Sequence, residues 1–536
     1  MGDYPGKRFS LPVFVCVQLQ GLLRIPYVQR LQLTALAWLT GLECAACEHT
    51  SYSSMKLFAP AMKIAAFVML MWGSIMLLPA MLSLDNWAES LDFIGSAATC
   101  YVLSMVFYHY GRKTPKNLQP RALFMITAFN WLLLCLTGAL PYWFSDLDIG
   151  FTDSLFESIA GVTTTGSSIF SSVDDLPDGV LLYRSLTQWV GGIGIIMVAV
   201  AILPFLKIGG MRLFRSEFSE WSQLDAGRIS KIAAHIIVVY VLISLACLLA
   251  YRIFGMSWFD AVNHMMTTVS TGGFSTRDNS FGYFNSSHLQ FVSSIFMLLG
   301  ACPFLLIVIS FEKRRFSLLQ DRQVRLLMNL AFFNTLIITL WRIYQVQDPD
   351  ILRILESSAF NTISVITTTG FASENYGLWG TMPVMILCFL MFSGGCSGST
   401  SGGVKLFRYQ LLAIFMKEHT LRSLHPGITA PRTYNARPIG DDVLVASLAY
   451  FFFVIVSWSV SSCLLAASGL DPITSITGSL SAIMNVGPGF GDTIGPVGNY
   501  SSLPDSAKYV LSIDMLLGRL EFLALVIIFT REYWKW

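Results

Sequence analysis

The chain has 536 residues, of which 54% are hydrophobic and only 13% are charged, and its mean hydropathy is +0.60. Soluble domains carry about 25% charged residues, so this composition excludes an ordinary soluble protein and indicates a membrane protein with many spans. The formal net charge of +2 by itself says nothing about partners. We expect no nucleic-acid partner.

The ten cysteines are scattered along the chain, and most of them stand inside apolar segments. That distribution is typical of small buried side chains and not of a disulfide framework. Cys44 and Cys47 form a CxxC pair, but no second pair and no suitably spaced histidine accompany it. We therefore expect neither a zinc site nor a redox site.

Residues 1–54 precede the first long apolar segment and contain two short apolar stretches, 11–23 and 33–47. No signal-peptide cleavage pattern is clear in this segment. A second methionine, Met55, stands just before the first long apolar segment. We expect residues 1–54 to be a dispensable or disordered extension that arises from an upstream start; an amphipathic helix on the membrane surface is the alternative.

Ten apolar segments are long enough to cross about 30 Å of hydrocarbon. They lie near 60–83, 93–110, 122–144, 180–206, 231–254, 287–310, 325–345, 382–416, 442–468 and 508–530. The segment 382–416 is too long for one span, and the run of small residues at 393–404 interrupts it. Irregular backbone at membrane depth is tolerated only where it is buried in protein or lines a cavity, so this run predicts an intramembrane loop.

Basic residues cluster in alternate loops between the predicted spans. These clusters comprise Arg112, Lys113, Lys116 and Arg121; Lys207, Arg212, Arg215 and Arg228; Lys313, Arg314, Arg315, Arg322 and Arg325; and Lys417, Arg422, Arg432 and Arg437. The other loops are acidic or neutral. The positive-inside rule then places the basic loops, and both ends of the ten-span region, in the cytoplasm.

Four half-length apolar segments lie on the predicted outer side, at 152–162, 258–269, 352–366 and 472–484. At roughly 11–15 residues they are too short to cross, so we expect re-entrant half-helices. A polar strip that contains a glycine follows each one: Val162-Thr-Thr-Thr-Gly166-Ser-Ser, Val269-Ser-Thr-Gly272-Gly, Ile366-Thr-Thr-Thr-Gly370-Phe and Met484-Asn-Val-Gly487-Pro-Gly489. The strips recur roughly every 100–120 residues, which indicates four internal repeats of span, half-helix, strip and span.

Hydroxyl-rich backbone with glycine is suited to presenting carbonyl oxygens to a dehydrated cation such as potassium. Glycine permits positive φ, and threonine adds a hydroxyl acceptor. The predicted potassium-binding residues are Thr164, Thr165 and Gly166; Ser270, Thr271 and Gly272; Thr368, Thr369 and Gly370; and Asn485, Val486 and Gly487. Ordinary extracellular turns are the alternative interpretation of these strips.

When the four strips are aligned on Gly166, Gly272, Gly370 and Gly487, the position nine residues earlier holds Glu157, Asn263, Asn361 and Gly478. The first three are candidates to anchor their half-helices, although simple packing is an equally good interpretation of any one of them. His264 is expected to be a packing or hydrogen-bonding residue.

The predicted gate lies on the inner side of the strips. Its residues are Gly394, Gly395, Cys396, Ser397, Gly398, Ser399, Thr400, Ser401, Gly402, Gly403 and Arg519. An arginine inside a span is costly and usually faces a cavity or a partner, and Asp514 and Glu521 are candidate partners of Arg519. The alternatives are a passive kink for the loop and a purely structural ion pair for Arg519. Lys405 and Arg408 are expected to reach the cytoplasmic interface.

Taken together, the four strips and three further motifs resemble the TrkH/TrkG/KtrB superfamily of microbial potassium transporters, the TrkH/TrkG branch most closely. The three motifs are Tyr183-Arg-Ser-Leu-Thr-Gln-Trp-Val-Gly-Gly-Ile-Gly194, Gly395-Cys-Ser-Gly-Ser-Thr-Ser-Gly-Gly-Val-Lys405 and Met515-Leu-Leu-Gly-Arg-Leu-Glu521. The resemblance covers roughly residues 55–536 and leaves the first 54 residues without a counterpart.

The resemblance implies an all-α membrane fold of four M1–P–M2 repeats, with re-entrant pore loops around a pseudo-fourfold pore and two extra N-terminal helices. The corresponding division is 1–54 for the extension, 55–121 for the extra helices, 122–228 for repeat 1, 229–323 for repeat 2, 324–437 for repeat 3 and 438–536 for repeat 4. The strips of these repeats are 163–168, 269–273, 366–371 and 485–489.

The resemblance also implies potassium uptake across the bacterial inner membrane, gated by the intramembrane loop with Arg519 beside it. It implies homodimers with one pore per protomer and a cytoplasmic ring of nucleotide-binding TrkA-type regulatory subunits. Glycine at position 166 favours potassium, because a serine there accompanies sodium permeation in related plant proteins. We expect no enzyme activity and no cofactor, with potassium as the substrate. A cotransporter that couples potassium to protons or sodium is the alternative, and the parallel orientation of the repeats argues against it.

Overall fold

The computed structural model describes residues 45–112, 120–206, 226–313, 318–346, 350–426, 432–435 and 437–535. Residues 1–44 of the predicted extension lie outside this part of the chain, and so do basic loop positions within 113–119, 207–225 and 314–317. Residues 45–54 form the start of the first helix.

Helices account for nearly all the regular structure in the described ranges. They are α1 (Ala45–Leu82), α2 (Trp87–Gly111), α3 (Pro120–Gly138), α4 (Leu140–Phe144), α5 (Phe151–Val162), α6 (Asp178–Leu206), α7 (Ala226–Ile253), α8 (Trp258–Val269), α9 (Ser287–Gly300), α10 (Phe304–Lys313), α11 (Arg322–Gln345), α12 (Ile351–Ile366), α13 (Thr381–Ser393), α14 (Leu406–Leu424), α15 (Asp441–Ala467), α16 (Pro472–Met484), α17 (Asp505–Arg519), α18 (Leu523–Val526) and α19 (Arg531–Lys535). Strands β1 (Thr433–Tyr434) and β2 (Arg437–Pro438) form one antiparallel pair.

Seven helices in the described ranges are long and apolar enough to cross a membrane. They correspond to α1, α2, α3 with α4, α6, α7, α11 and α15. The pair α9 and α10 makes an eighth crossing if it is counted as one span, although its two parts meet at 95°. The two remaining predicted spans, 382–416 and 508–530, are each divided into shorter helices.

The four predicted half-helices are present as α5, α8, α12 and α16, with bounds that differ from the prediction by at most one residue. Local capping explains where three of them begin. The side chains of Ser257, Asp350 and Asp471 each accept a hydrogen bond from a backbone N–H in the first turn, which satisfies a donor that the helix itself cannot. Hydrogen bonds from Thr474 hold the pKa of Asp471 below its usual range, so this exposed cap stays ionised at neutral pH.

Three of the four helical segments that follow the strips are broken, between α9 and α10, α13 and α14, and α17 and α18, whereas α6 is continuous. The break at 394–405 was predicted, but those at 301–303 and 520–522, inside the predicted spans 287–310 and 508–530, were not. Pro303 lacks an N–H, and the carbonyls of Gly300 and Ala301 accept hydrogen bonds from the loop at 394–405. At the last break Glu521 and Phe522 adopt φ of +56° and +52°.

Two large buried clusters hold the helices together. One includes Tyr240 of α7 together with Phe281 and Phe371. The other includes Trp72 of α1, Tyr183 of α6 and Met515 of α17. All four half-helices contribute residues to these clusters, and the strips that follow them are buried in the interior of the protein.

Candidate functional site: a ring of four strips

The four strips share one backbone conformation. Each strip contains one non-glycine residue in the left-handed conformation, and a glycine with positive φ follows it two residues later. The pairs are Thr164 (+53°) and Gly166 (+86°), Thr271 (+52°) and Gly273 (+83°), Thr368 (+56°) and Gly370 (+83°), and Asn485 (+53°) and Gly487 (+102°). Non-glycine residues rarely adopt positive φ. Four matched instances therefore indicate one repeated element rather than four unrelated turns.

The same hydrogen bond closes each strip onto its half-helix. The N–H of the residue between the left-handed residue and the glycine donates to a carbonyl five residues back. The distances are 2.8 Å for Thr165 to Ala160, 2.8 Å for Gly272 to Thr267, 2.9 Å for Thr369 to Ser364 and 3.0 Å for Val486 to Ser481. Each strip is thus a direct continuation of its half-helix.

This correspondence corrects the sequence alignment of the second strip by one residue. The equivalent of Gly166 is Gly273, not Gly272, and the equivalent trio is Thr271, Gly272 and Gly273. Ser270 therefore falls one position before the trio. Two adjacent glycines in the second strip made the register ambiguous, and only the backbone angles and hydrogen bonds decide it.

The four strips close into a ring in chain order. A side chain added at each strip glycine would collide with a carbonyl oxygen of the next strip: Gly166 with Gly272, Gly273 with Thr369, Gly370 with Val486, and Gly487 with Thr165. Only a glycine permits this approach at positive φ. The ring brings together all the predicted strip residues except Ser270, in the corrected register.

The corrected register also changes which residue anchors the second half-helix. The position nine residues before the strip glycine holds Glu157, His264, Asn361 and Gly478 in the four repeats. His264 therefore takes the place assigned to Asn263, and it is fully buried.

Each of the first three anchors bonds to backbone or side chain just beyond its strip. Glu157 accepts from the Ile169 N–H at 2.9 Å, the His264 Nε2 lies 3.1 Å from the Ser275 hydroxyl, and Asn361 accepts from the Ser373 N–H at 3.2 Å. These contacts tie the outgoing end of each strip to its own half-helix. Gly478 has no side chain, and Ile494 packs against it instead.

A buried arginine links the outer ends of strips 1 and 2. Arg184 Nε donates to Glu157 at 2.8 Å, and its terminal nitrogens donate to the Ser168 hydroxyl at 3.0 Å and the Ser275 carbonyl at 3.2 Å. Its guanidinium lies 4.2 Å from the centre of the Phe274 ring. Arg184 is not among the predicted site residues; the signal that marks it is a charged residue inside an apolar span.

The loop at 394–405 lies directly beneath the ring. The Thr271 hydroxyl donates to Thr400 Oγ1 at 3.2 Å, and the Gly402 N–H donates to the Thr368 hydroxyl at 2.6 Å. The Gly403 N–H donates to the Met484 carbonyl at 2.9 Å. The loop is therefore attached under three of the four strips.

The inner face of strip 1 differs from the other three. The Thr164 hydroxyl is buried and has no hydrogen-bond partner among the described residues. The loop hydrogen-bonds to strips 2 and 3 and to the end of α16 instead.

Arg519 contacts the loop and not a carboxylate. Its Nη1 donates to the Thr400 carbonyl at 2.8 Å, and its other two nitrogens have no hydrogen-bond partner within the described residues. The suggested partners are engaged elsewhere. Asp514 accepts from the Ser461 and Ser479 hydroxyls, so an ion pair of Arg519 with Asp514 or Glu521 is not what the structure contains.

Glu521 pairs instead with Arg408, at 2.6 Å, and the Arg408 guanidinium stacks 3.8 Å from the centre of the Tyr450 ring. The Lys405 amino group donates to the Ser401 carbonyl within the loop. Lys405 and Arg408 are both buried, so the expectation that they reach the cytoplasmic interface is wrong. Three positively charged side chains, those of Lys405, Arg408 and Arg519, are thus held around the loop below the ring.

The comparisons with known proteins agree with this architecture. The family model TrkH, described as a cation transport protein, matches residues 92–535. The Trk system potassium uptake protein TrkI of Halomonas elongata is 38% identical over 484 residues, covering 90% of this chain and 98% of the relative. The Trk system potassium uptake protein TrkH of Escherichia coli K12 is 32% identical over 486 residues, covering 89% and 99%.

A solved structure is similar over the same extent. The crystal structure of the potassium transporter TrkH from Vibrio parahaemolyticus superposes with a TM-score of 0.83 at 29% identity, covering 89% of this chain and 100% of that chain. It shares the helical membrane fold described above. The family resemblance drawn from the motifs is therefore confirmed, and the chain belongs to the TrkH family of cation transport proteins.

Proposed function

We propose that this chain carries potassium into the cell through the ring of four strips, which serves as its selectivity filter. The observation that carries the proposal is the closure of the ring, in which each strip glycine packs against a carbonyl of the next strip. Ion filters replace the hydration shell of potassium with backbone carbonyls arranged around an axis. The relatives are named as potassium uptake proteins, which supports potassium as the transported ion.

The proposed ligands are carbonyl oxygens from three successive residues of each strip. In the corrected register these are Thr164, Thr165 and Gly166; Thr271, Gly272 and Gly273; Thr368, Thr369 and Gly370; and Asn485, Val486 and Gly487. The half-helices direct their partially negative C-terminal ends at the ring, which favours a cation there.

The proposed gate is the loop at 394–405 together with Arg519. The loop lies under the ring and hydrogen-bonds to strip residues, so it stands in the path of an ion that leaves the filter inward. Arg519 holds the loop through the Thr400 carbonyl, and its charge opposes a cation at that point. Opening then requires the loop to leave Thr271 and Thr368.

The remaining parts of the proposal rest on family resemblance. They are the division into two extra helices and four repeats, a homodimer with one pore per protomer, TrkA-type nucleotide-binding regulatory subunits on the cytoplasmic side, and a location in the bacterial inner membrane with both ends of the ten-span region in the cytoplasm. The alternation of basic loops in the sequence supports the orientation.

The test is rubidium-86 uptake into liposomes that hold the purified protein, under an outward potassium gradient and with sodium as competitor. We expect concentrative uptake that sodium does not block. Deleting residues within 394–404 distinguishes a closed gate from a failed proposal, because a closed pore then begins to conduct. Absence of uptake by both forms would contradict the proposal.

The same liposomes test coupling. A reversal potential that follows the potassium gradient alone supports a pore, whereas one that shifts with pH or sodium supports the cotransporter alternative.

A further inference from the structure

We propose that Gln188, on α6, is a positioning residue that determines ion specificity: it replaces a missing side chain in the second strip and orients the Gly272 carbonyl. The inference rests on the proposed filter and extends it to a residue outside the strips. Gln188 is fully buried in the middle of an apolar helix, where a polar side chain needs hydrogen-bond partners.

The second strip lacks a side chain at the position before its glycine. The equivalent residues in the other strips are Thr165, Thr369 and Val486, whereas the second strip has Gly272. These four residues supply the carbonyls against which the neighbouring glycines pack. The second strip is therefore the one with least side-chain packing at a position where carbonyl direction matters.

The carboxamide of Gln188 fills this vacant position. A Cβ built on Gly272 would overlap the Cδ, Oε1 and Nε2 atoms of Gln188. The side chain from α6 thus takes the volume that a threonine or valine of the strip itself takes in the other repeats. Close packing of this kind normally restrains backbone position.

Two hydrogen bonds fix the orientation of the second strip. Gln188 Nε2 donates to the Gly272 carbonyl at 2.7 Å, and its Oε1 accepts from the Phe274 N–H at 3.0 Å. The two bonds straddle Gly273, so they hold the peptide groups on both sides of the strip glycine. Two consecutive glycines would otherwise leave this backbone with more conformational freedom than any other strip.

The bond to Gly272 leaves this carbonyl able to bind an ion. A carbonyl oxygen has two lone pairs, and Gln188 uses one of them. Selectivity depends on the number and field strength of the coordinating carbonyls. A donor that sets the direction of the Gly272 carbonyl therefore sets one of the four carbonyls in that layer of the filter.

The corresponding positions on two other second helices carry no such donor. Gly191, Gly300 and Gly518 each approach the carbonyl four residues before a strip glycine, at Val162, Val269 and Ile483, and so mark equivalent positions. Three residues before them stand Gln188, Met297 and Met515, all fully buried. Of these three helices, the one with the polar side chain is the one that packs against the strip without a side chain.

The test moves the side chain from α6 to the strip. Gln188→Met keeps the length of the side chain and removes both hydrogen bonds, whereas Gly272→Thr adds a side chain that overlaps Gln188. Gly272 does not have positive φ, so its backbone accepts threonine. The double variant Gln188→Ala with Gly272→Thr makes the second strip read Thr-Thr-Gly, as strips 1 and 3 do.

The readout is the ratio of sodium to potassium concentrations that give half-maximal thermal stabilisation of the full-length purified protein, because ion binding stabilises the folded state whether or not the gate is open. We expect Gln188→Met to lower this ratio about fivefold, which corresponds to about 1 kcal/mol for the hydrogen bond that orients the Gly272 carbonyl. The double variant should have a ratio closer to that of the wild type than either Gln188→Ala alone or Gly272→Thr alone.

Two controls make the result decisive. Gln290→Met makes the same chemical change on α9, and it should leave the ratio unaltered. Gly370→Ala perturbs the ring itself and tests the filter separately. A wild-type ratio for folded Gln188→Met, or a double variant no better than the single ones, would overturn the role of Gln188; a wild-type ratio for Gly370→Ala would overturn the filter as well.

Discussion

Replacing Gly166 with serine should weaken the preference for potassium over sodium. Gly166 has a φ of +86°, and a Cβ at this position would overlap the Gly272 carbonyl oxygen. That carbonyl is a backbone group held by a hydrogen bond from Gln188. It cannot yield as a flexible side chain would, so the serine must displace either strip 1 or the carbonyl itself.

The size of the effect depends on the backbone strain at positive φ and on the overlap with the Gly272 carbonyl. A non-glycine residue in a sparsely populated backbone region costs of order 1–3 kcal/mol, and relieving the overlap turns one carbonyl out of its layer. If about 1–2 kcal/mol of this cost falls on the potassium-bound state, the preference for potassium falls roughly 5–30-fold.

Gly255→Ser is the matched control. Gly255 also has positive φ, at +104°, but a Cβ there meets open space. This variant therefore has the backbone strain without the contact in the ring. We expect it to lose some stability and to keep the wild-type ion preference.

The assay is rubidium-86 uptake into liposomes at increasing sodium concentration, with the loop deleted in both variants so that the gate does not limit flux. Sodium should inhibit rubidium uptake at a lower concentration in Gly166→Ser than in Gly255→Ser. If sodium inhibits rubidium uptake equally in the two variants, the ring contact has no part in selectivity and the reasoning from Gly166 is wrong.

Three further predictions concern the region below the ring. Arg519→Ala removes both the positive charge and the bond to the Thr400 carbonyl, so basal uptake in liposomes should rise; unchanged uptake would remove Arg519 from the gate. Thr400→Val keeps the shape of the side chain but removes a hydroxyl that lies 2.9 Å from the Gly300 carbonyl and 3.2 Å from Thr271, and it should raise basal uptake by a smaller factor in the same assay. Arg408→Met leaves Glu521 without its ion pair and should lower the unfolding free energy by about 1.5–3 kcal/mol, measured as a lower midpoint of thermal unfolding; because Glu521 is 32% exposed, a loss well above this range would mean that Arg408 has another structural role.

Local features of the sequence were enough to predict the repeated units. The half-helices were predicted within one residue because each is an apolar run too short to span, bounded by a polar strip and, for α8, α12 and α16, by a capping residue. The break at 394–405 was predictable for the same reason, since a run of small polar residues cannot form a lipid-facing helix. These properties depend only on residues that are close together in the chain.

Tertiary contacts decided the features that the sequence left open. The register of the second strip follows from hydrogen bonds and positive φ at Gly273 and not from the position of the first glycine. The break at 301–303 is stable because the loop at 394–405 satisfies the carbonyls of Gly300 and Ala301. Arg519 finds a backbone carbonyl 119 residues away instead of a nearby carboxylate. The sequence by itself determined the four units, because their helices and strips are local; how the units fit together was decided only by packing, because buried polar groups take whichever partner the fold brings within reach.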